Sequence, residues 1–193
     1  MKLTQHCYSW IVGDSNNDCF SQIRAWCLDR DSNPVLLKFT NYSASCYVEL
    51  PTTIDGKAFD WCPSDVDILM NSLERVLTKY DKHHPIGYRL VQKEKLYFYK
   101  GGRKDPHLYL EFWNQRDMKE AVSWLTRGIW PGRDISPNKT KFPTRHDNID
   151  MIRKLLTDQN LHYSAWFTVN GKLTPEKEKI STLEREYDCD WKS

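Results

Sequence analysis

Apolar residues run through YSWIVG (Tyr8–Gly13), and the turn-rich GDSNND that follows stops them, so a short strand is expected there. The stretch IRAWCLDRDSNPVLLKF, residues 23 to 39, sets two apolar runs around a polar tip. It reads as a hairpin with arms Phe20–Asp29 and Val35–Phe39. Ile23, Ala25 and Cys27 alternate with Arg24, Trp26 and Leu28. Both faces therefore have something to bury, and Arg24 needs a partner or an edge. The tip DRDSNP holds residues that favour turns by local hydrogen bonding or fixed φ. Ser45–Leu50 (SCYVEL) is a further strand, stopped by Pro51.

A change of period to 3.6 follows. Ser64-Asp65 caps an expected helix, DVDILMNSLERVLTKY, with Val66, Ile68, Leu69, Leu73, Val76 and Leu77 on one face. Pro85 opens an extended region reaching Tyr99, with a bend near Lys93-Glu94. His107–Trp113 alternates again, Leu108, Leu110 and Phe112 one way, Tyr109, Glu111 and Trp113 the other. Asn114 caps a second helix, QRDMKEAVSWLTRG, closed by Gly128. Residues 131–145 carry three prolines and no periodicity, so a long loop is expected. Asp147–Gln159 reads as a third helix, with Ile149, Ile152, Leu155 and Leu156 as its stripe. Tyr163–Val169 reads as a strand, Asn170-Gly171 as a hairpin turn, and Glu184–Trp191 as a last extended run.

The fold class is α+β: a β-meander or partial barrel, then a ferredoxin-like β-α-β-β-α unit, with an extra helix and C-terminal strands. The expected subdivision is 1–50, 51–145 and 146–193. Trp26, Trp113 and Trp166 are read as core, since most Trp are largely buried.

At 193 residues the chain is long enough for a real core. Eight Trp, ten Tyr and seven Phe argue against disorder. No apolar run approaches the ~18 residues of a membrane span, and MKLTQHCYSWIVGDSN lacks the apolar region of a signal peptide. The six cysteines, with no CxxC, are therefore expected as reduced thiols in an intracellular protein, with Cys27 and Cys46 packing as small hydrophobes. For the same reason the glycosylation patterns at Asn41 and Asn138 are set aside.

Charge changes the picture more. The net +2 conceals an asymmetry: residues 1–80 carry 7 basic and 10 acidic side chains, 81–146 carry 14 and 7, and 147–193 carry 7 and 9. The central third, net +7, is the candidate polyanion-facing surface.

No enzyme signature accompanies it. Gly101-Gly102 is Gly-rich and basic but precedes a strand, so it lacks the helix N-terminus of a phosphate loop. The adjacent His83 and His84 point apart, and no metal site is assigned; Asp65 and Asp67 sit at a helix start, where they complement the dipole. No catalytic residue is assigned. Nucleic-acid binding has a better case. Lys100, Arg103 and Lys104 cluster at one loop and Arg133, Lys139, Lys141 and Arg145 at another, with Tyr97, Tyr99, Tyr109 and Trp113 on strands between them. Aromatics on a sheet with basic rims can hold single strands by stacking and phosphate neutralisation. On the residues alone, aromatics in a core and solvated loops describe them equally well.

The order of elements resembles the N-terminal domain of family B DNA polymerases, most like those of large nucleocytoplasmic DNA viruses. The likeness lies in IRAWCLDRDSNPVLLKF followed by CYVELP, in LYLEFWNQRDMKEAVSWL, in FPTRHDNIDMIRKLLTDQNLHYSAWFTV and in EREYDCDW. It departs at Arg145-His146, where the family usually has Tyr-Glu. The resemblance implies a non-catalytic platform that packs on the exonuclease domain and helps guide template DNA. The parent is then a DNA-directed DNA polymerase with a 3′–5′ exonuclease, working in the host cytoplasm or nucleus of an infected cell. Its magnesium ions would be held outside this chain, since the family's Asp-Ile-Glu, Asp-x-x-Ser-Leu-Tyr-Pro and Tyr-Gly-Asp-Thr-Asp motifs are not in these residues. The implied partners are the DNA template and the exonuclease and palm domains of the same chain, with no membrane. Two alternatives are a stand-alone single-stranded nucleic-acid-binding module and a protein-interaction domain.

Overall fold

Five strands close the first of two units into a barrel. The computed structural model describes residues 1–14, 21–40, 42–80, 84–94, 104–145 and 150–190. Its two units are residues 1–43 with 149–193, and residues 44–148.

The barrel is built from β1 (Lys2–Asp14), β2 (Ser21–Leu28), β3 (Pro34–Phe39), β10 (Trp166–Leu173) and β11 (Arg185–Asp190), in the closed order β1-β10-β11-β3-β2. All pairings are antiparallel except β11 with β3. Ile23, Ala25, Cys27, Val35, Leu37 and Phe39 fill the interior. Trp10 stacks between Phe39 and Phe167 at 6.1 and 5.7 Å, and its indole N–H donates to the Tyr163 carbonyl at 2.9 Å. The helix α3 (Met151–Asp158) precedes β10 and buries Met151, Ile152, Leu155 and Leu156.

The second unit holds β4 (Ala44–Glu49), the short hairpin β5 (Thr53–Ile54) and β6 (Lys57–Ala58), α1 (Pro63–Lys79), β7 (Gly87–Glu94), β8 (Lys104–Phe112), α2 (Gln115–Arg127) and β9 (Thr144–Arg145). Its antiparallel sheet runs β7-β8-β4-β9. Leu108, Leu110, Phe112, Cys46 and Val48 are buried with Leu69, Leu73 and Leu77 of α1 and Met118, Ala121 and Leu125 of α2. Both helices therefore lie on one face of the sheet, and Tyr80 stacks on Trp124 at 4.8 Å where they meet.

The hairpin, the strand-helix-strand-strand-helix order and the α+β class agree with the sequence reading. Arg24 finds its partner in Gln22, 2.7 Å away. Several boundaries differ. The first strand begins at Lys2, well before Tyr8, because His6↔Leu28 and Lys2↔Asn170 extend its pairing on both edges. The meander is not a partial barrel: the C-terminal strands complete a closed one. The division at 50/51 and 145/146 is accordingly redrawn, since β4 joins the middle sheet and β10 and β11 join the first three strands.

The first helix is capped at Cys62, not Ser64. Pro63 occupies the first helical position, where its missing N–H costs nothing, and Asp65 Oδ2 accepts the Cys62 N–H at 3.0 Å. The third helix starts at Met151, its cap Asp150 accepting the Ile152 N–H at 2.6 Å. Asn170-Gly171 is not a turn but lies inside β10, bonded to β1 on one side and β11 on the other. Trp113 (39% exposed) and Trp166 (54%) are not core, and Trp26 is half-buried. Trp166 takes the outward phase of β10, opposite to the buried Phe167, and packs on His6 with ring centroids 5.4 Å apart. Cys27 and Cys46 are fully buried and in no disulfide, as their strand positions implied. No helix is long and apolar enough to cross a membrane among the described residues.

Candidate nucleic-acid interface

The face of the second unit's sheet away from its helices is set by strand register. Side chains directly opposite one another on paired strands point the same way. Tyr47 pairs with Tyr109, Tyr109 with Arg89, and Tyr47 with Arg145 across β4, β8, β7 and β9. These residues form one row on that face. The Tyr47 and Tyr109 rings lie 5.0 Å apart at 47°. The Arg89 guanidinium sits 4.7 Å from the Tyr109 ring centre and the Lys93 ammonium 3.4 Å from that of Tyr47. Burial pushes the Tyr109 phenol up to about 12, and the carboxylate of Glu111, which accepts its hydroxyl at 2.8 Å, acts the same way. The phenol therefore remains a neutral donor.

The second element is the segment from Ile129 to Arg145. Sequence periodicity marks it only as a loop, but it is closely held. The N–H of Ile129 donates to the Thr140 carbonyl at 3.1 Å, and Thr140 returns the bond at 2.8 Å. Ile135 and Phe142 are buried, Phe142 edge-on to Trp61 at 6.1 Å. The β5–β6 turn supplies a tether. Asp55 and Gly56, both at positive φ, form its tip. The Asp55 carboxylate accepts Ser136 Oγ–H at 2.7 Å and an Asn138 Nδ2–H at 3.1 Å, and these bonds hold it below the ordinary carboxylate range. The segment ends in β9, whose pairing with β4 the sequence did not reveal.

On this frame Arg133, Lys139 and Lys141 are exposed, and Lys104 stands exposed at the start of β8. Lys139 lies 4.3 Å over the ring of Trp130. Arg145 is 58% exposed, but its Nε is 2.6 Å from Glu49 Oε1, so part of its charge is already matched. Lys100 and Arg103 fall outside the described residues, as do Tyr97, Tyr99, His83 and the Gly101-Gly102 pair. The loop cations and Tyr109 are thus set on one unit. Tyr47, Arg89, Lys93 and Trp130 were not singled out from the sequence. Tyr47 was hidden because only register places it beside Tyr109.

Other candidates resolve into structural roles. Asp65 caps α1, Asp67 accepts the Tyr88 hydroxyl at 3.0 Å, and His84 Nε2 lies 2.8 Å from Thr78 Oγ1. Among the described residues no three His, Cys, Asp or Glu side chains stand where they could hold a metal ion. The second unit thus presents two tilted tyrosine rings with cations over them, and a pinned basic segment.

No family model matches the chain. It is 25% identical over 167 residues to the DNA polymerase of Acanthamoeba polyphaga mimivirus, an alignment covering 83% of this chain and 9% of that protein. In three dimensions it is similar to the family B DNA polymerase of the hyperthermophilic archaeon Pyrobaculum calidifontis. That match has a TM-score of 0.63 and 12% identity, over 97% of this chain and 20% of the archaeal one. The chain therefore spans a small part of each relative's length. The two likenesses bear out the resemblance read from the residues, that of the N-terminal domain of a viral family B DNA polymerase.

Proposed function

We propose that the chain is the non-catalytic N-terminal domain of a replicative DNA-directed DNA polymerase, packing on the exonuclease domain and guiding template DNA. The observation that carries this reading is the sequence likeness to a viral DNA polymerase over 83% of the chain, joined to a fold likeness over 97% of it. Nucleotidyl transfer and its magnesium ions, and proofreading, belong in this reading to other parts of the parent chain.

Both architectures support a nucleic-acid role. The order β7-β8-β4-β9, with α1 and α2 following the first and third strands of that sheet in sequence, supports the ferredoxin-like reading. The barrel, with its first strand between the second and fourth and its third parallel to its fifth, shares the strand order of OB-folds, which bind oligonucleotides on strands two and three. On that face, however, Lys38 is neutralised by Glu186 and Asp188. The second unit, with Lys93, Lys104, Arg133, Lys139 and Lys141, therefore carries the template reading.

The test is salt-dependent binding of a single-stranded oligonucleotide by the chain. Four or five phosphate contacts give a log–log slope of about −3. A flat response, or unchanged affinity in Lys139→Ala/Lys141→Ala, rejects the template path. Salt-insensitive binding to a protein with no binding to DNA favours an interaction domain instead.

A further inference from the structure

Trp130 is 60% exposed, the most exposed tryptophan among the described residues. Its position is not that of a side chain on a loose loop. The preceding residue is locked by the Ile129–Thr140 pair of hydrogen bonds. The residues that follow fold back through the Ser136 N–H, which donates to the Gly132 carbonyl at 2.9 Å. Ser136 and Asn138 are then tied to Asp55. Apolar residues of the same segment, Ile129, Ile135 and Phe142, are buried, so the segment has its own anchors and does not need Trp130 as one. An indole held outward by a fixed backbone loses little further freedom when something stacks on it.

Its surroundings select the kind of partner. Lys139 stands over the ring at 4.3 Å, and Arg133 and Lys141 are exposed on the same segment. Residues 129–145 contain four basic side chains and one acidic, Asp134. With one cation over the indole and most of the residue's surface still open, a base can stack while its phosphates meet the ammonium and guanidinium groups. Stacking on an aromatic with cations alongside is how single strands are held without regard to sequence. A protein hot spot of the same size calls for a less charged surround.

We propose that Trp130 is a base-stacking residue for single-stranded nucleic acid, with Lys139 both polarising the indole and contacting the adjacent phosphate. The proposal rests on the template-path reading and adds to it a specific contact with a base, which a phosphate-only surface lacks.

The experiment compares binding of an oligothymidylate and of an abasic oligomer of equal length to the chain and to Trp130→Ala, Trp130→Phe and Lys139→Ala. The two strands share their phosphates and differ in their bases. Trp130→Ala is expected to weaken oligothymidylate binding by about fivefold or more and to leave abasic binding unchanged, with Trp130→Phe recovering part of the loss. Lys139→Ala is expected to weaken both. An unchanged oligothymidylate affinity in Trp130→Ala, or an equal loss on both strands, overturns the stacking role while the template path stands. Binding of neither oligomer by the unsubstituted chain overturns both readings and leaves the patch to a protein partner.

Discussion

The ammonium of Lys38 on β3 lies 2.9 Å from Glu186 Oε1 on β11, and both side chains are shut off from water. The pairing bridges strands far apart in sequence at the parallel seam that closes the barrel. Glu186 is fully used: it also accepts the N–H groups of Ile180 and Ser181 and the Ser181 hydroxyl, so it fastens the β10–β11 connection across the strands. Asp188, 3.1 Å from the same ammonium, completes the group. Replacing the whole of such a buried pair by well-packed apolar residues is often neutral or stabilising. Removing one partner strands the other's charge. Lys38→Met is therefore expected to cost about 3–5 kcal/mol by urea unfolding, and Lys38→Met/Glu186→Leu markedly less than the sum of its single changes.

The same carboxylate gives the barrel an acid limit. Burial pushes the Glu186 carboxyl up, but hydrogen bonds from Lys38, Ile180 and Ser181, with the charge of Lys38, outweigh it and hold the group below the ordinary carboxylate range. A group depressed on folding binds fewer protons in the folded chain, so stability rises with pH through that window. The contribution is complete above the ordinary carboxylate range and is lost as pH falls through the lowered folded value. Thermal melts as a function of pH are expected to show a steeper acid limb for the unsubstituted chain than for Glu186→Gln.

Gly171 sits where β10 is bonded on both sides. A Cβ there meets Leu3 Cδ1 at 2.7 Å and Cys189 Sγ at 3.1 Å, both inside the barrel. Gly171→Val is expected to destabilise by about 1–3 kcal/mol through overpacking, read as a lower denaturation midpoint. Gly171→Val/Leu3→Val is expected to recover part of it by removing the methyl in contact.

The tyrosine pair should matter to bases and not only to folding. With the Tyr47 and Tyr109 rings 5.0 Å apart on one face, Tyr109→Leu is expected to weaken single-strand binding by about 1–3 kcal/mol for the base concerned. Arg89→Gln is expected to lower the magnitude of the log–log salt slope by about 0.7. Titrations at two salt concentrations separate these effects.

What was legible in the sequence was local. Asn114 and Gly128 bound α2 because capping chemistry lies within a turn of the helix it ends, and the structure puts Asn114 Oδ1 2.7 Å from the Asp117 N–H. The alternation in residues 23–28 marks β2 because burial follows its period. Gly171 was misread as a turn because Asn-Gly favours one locally, whereas its place depends on Leu3 and Cys189, neither of them nearby in sequence. Barrel closure rests on β3 pairing with β11 across the whole second unit, which no local pattern encodes. In the candidate site, the charge of Lys139 and Lys141 was visible from composition. Arg145's pairing with Glu49 and the Tyr47–Tyr109 contact were not, since both follow from strand register.

The proposal that this chain is the N-terminal domain of a viral family B DNA polymerase is decided by sequencing the parent transcript past the codon for Ser193. The expected result is an open frame that reaches an Asp-Ile-Glu exonuclease motif and, further on, the polymerase's own aspartate motifs. A stop codon directly after Ser193, or an open frame without those motifs, contradicts it.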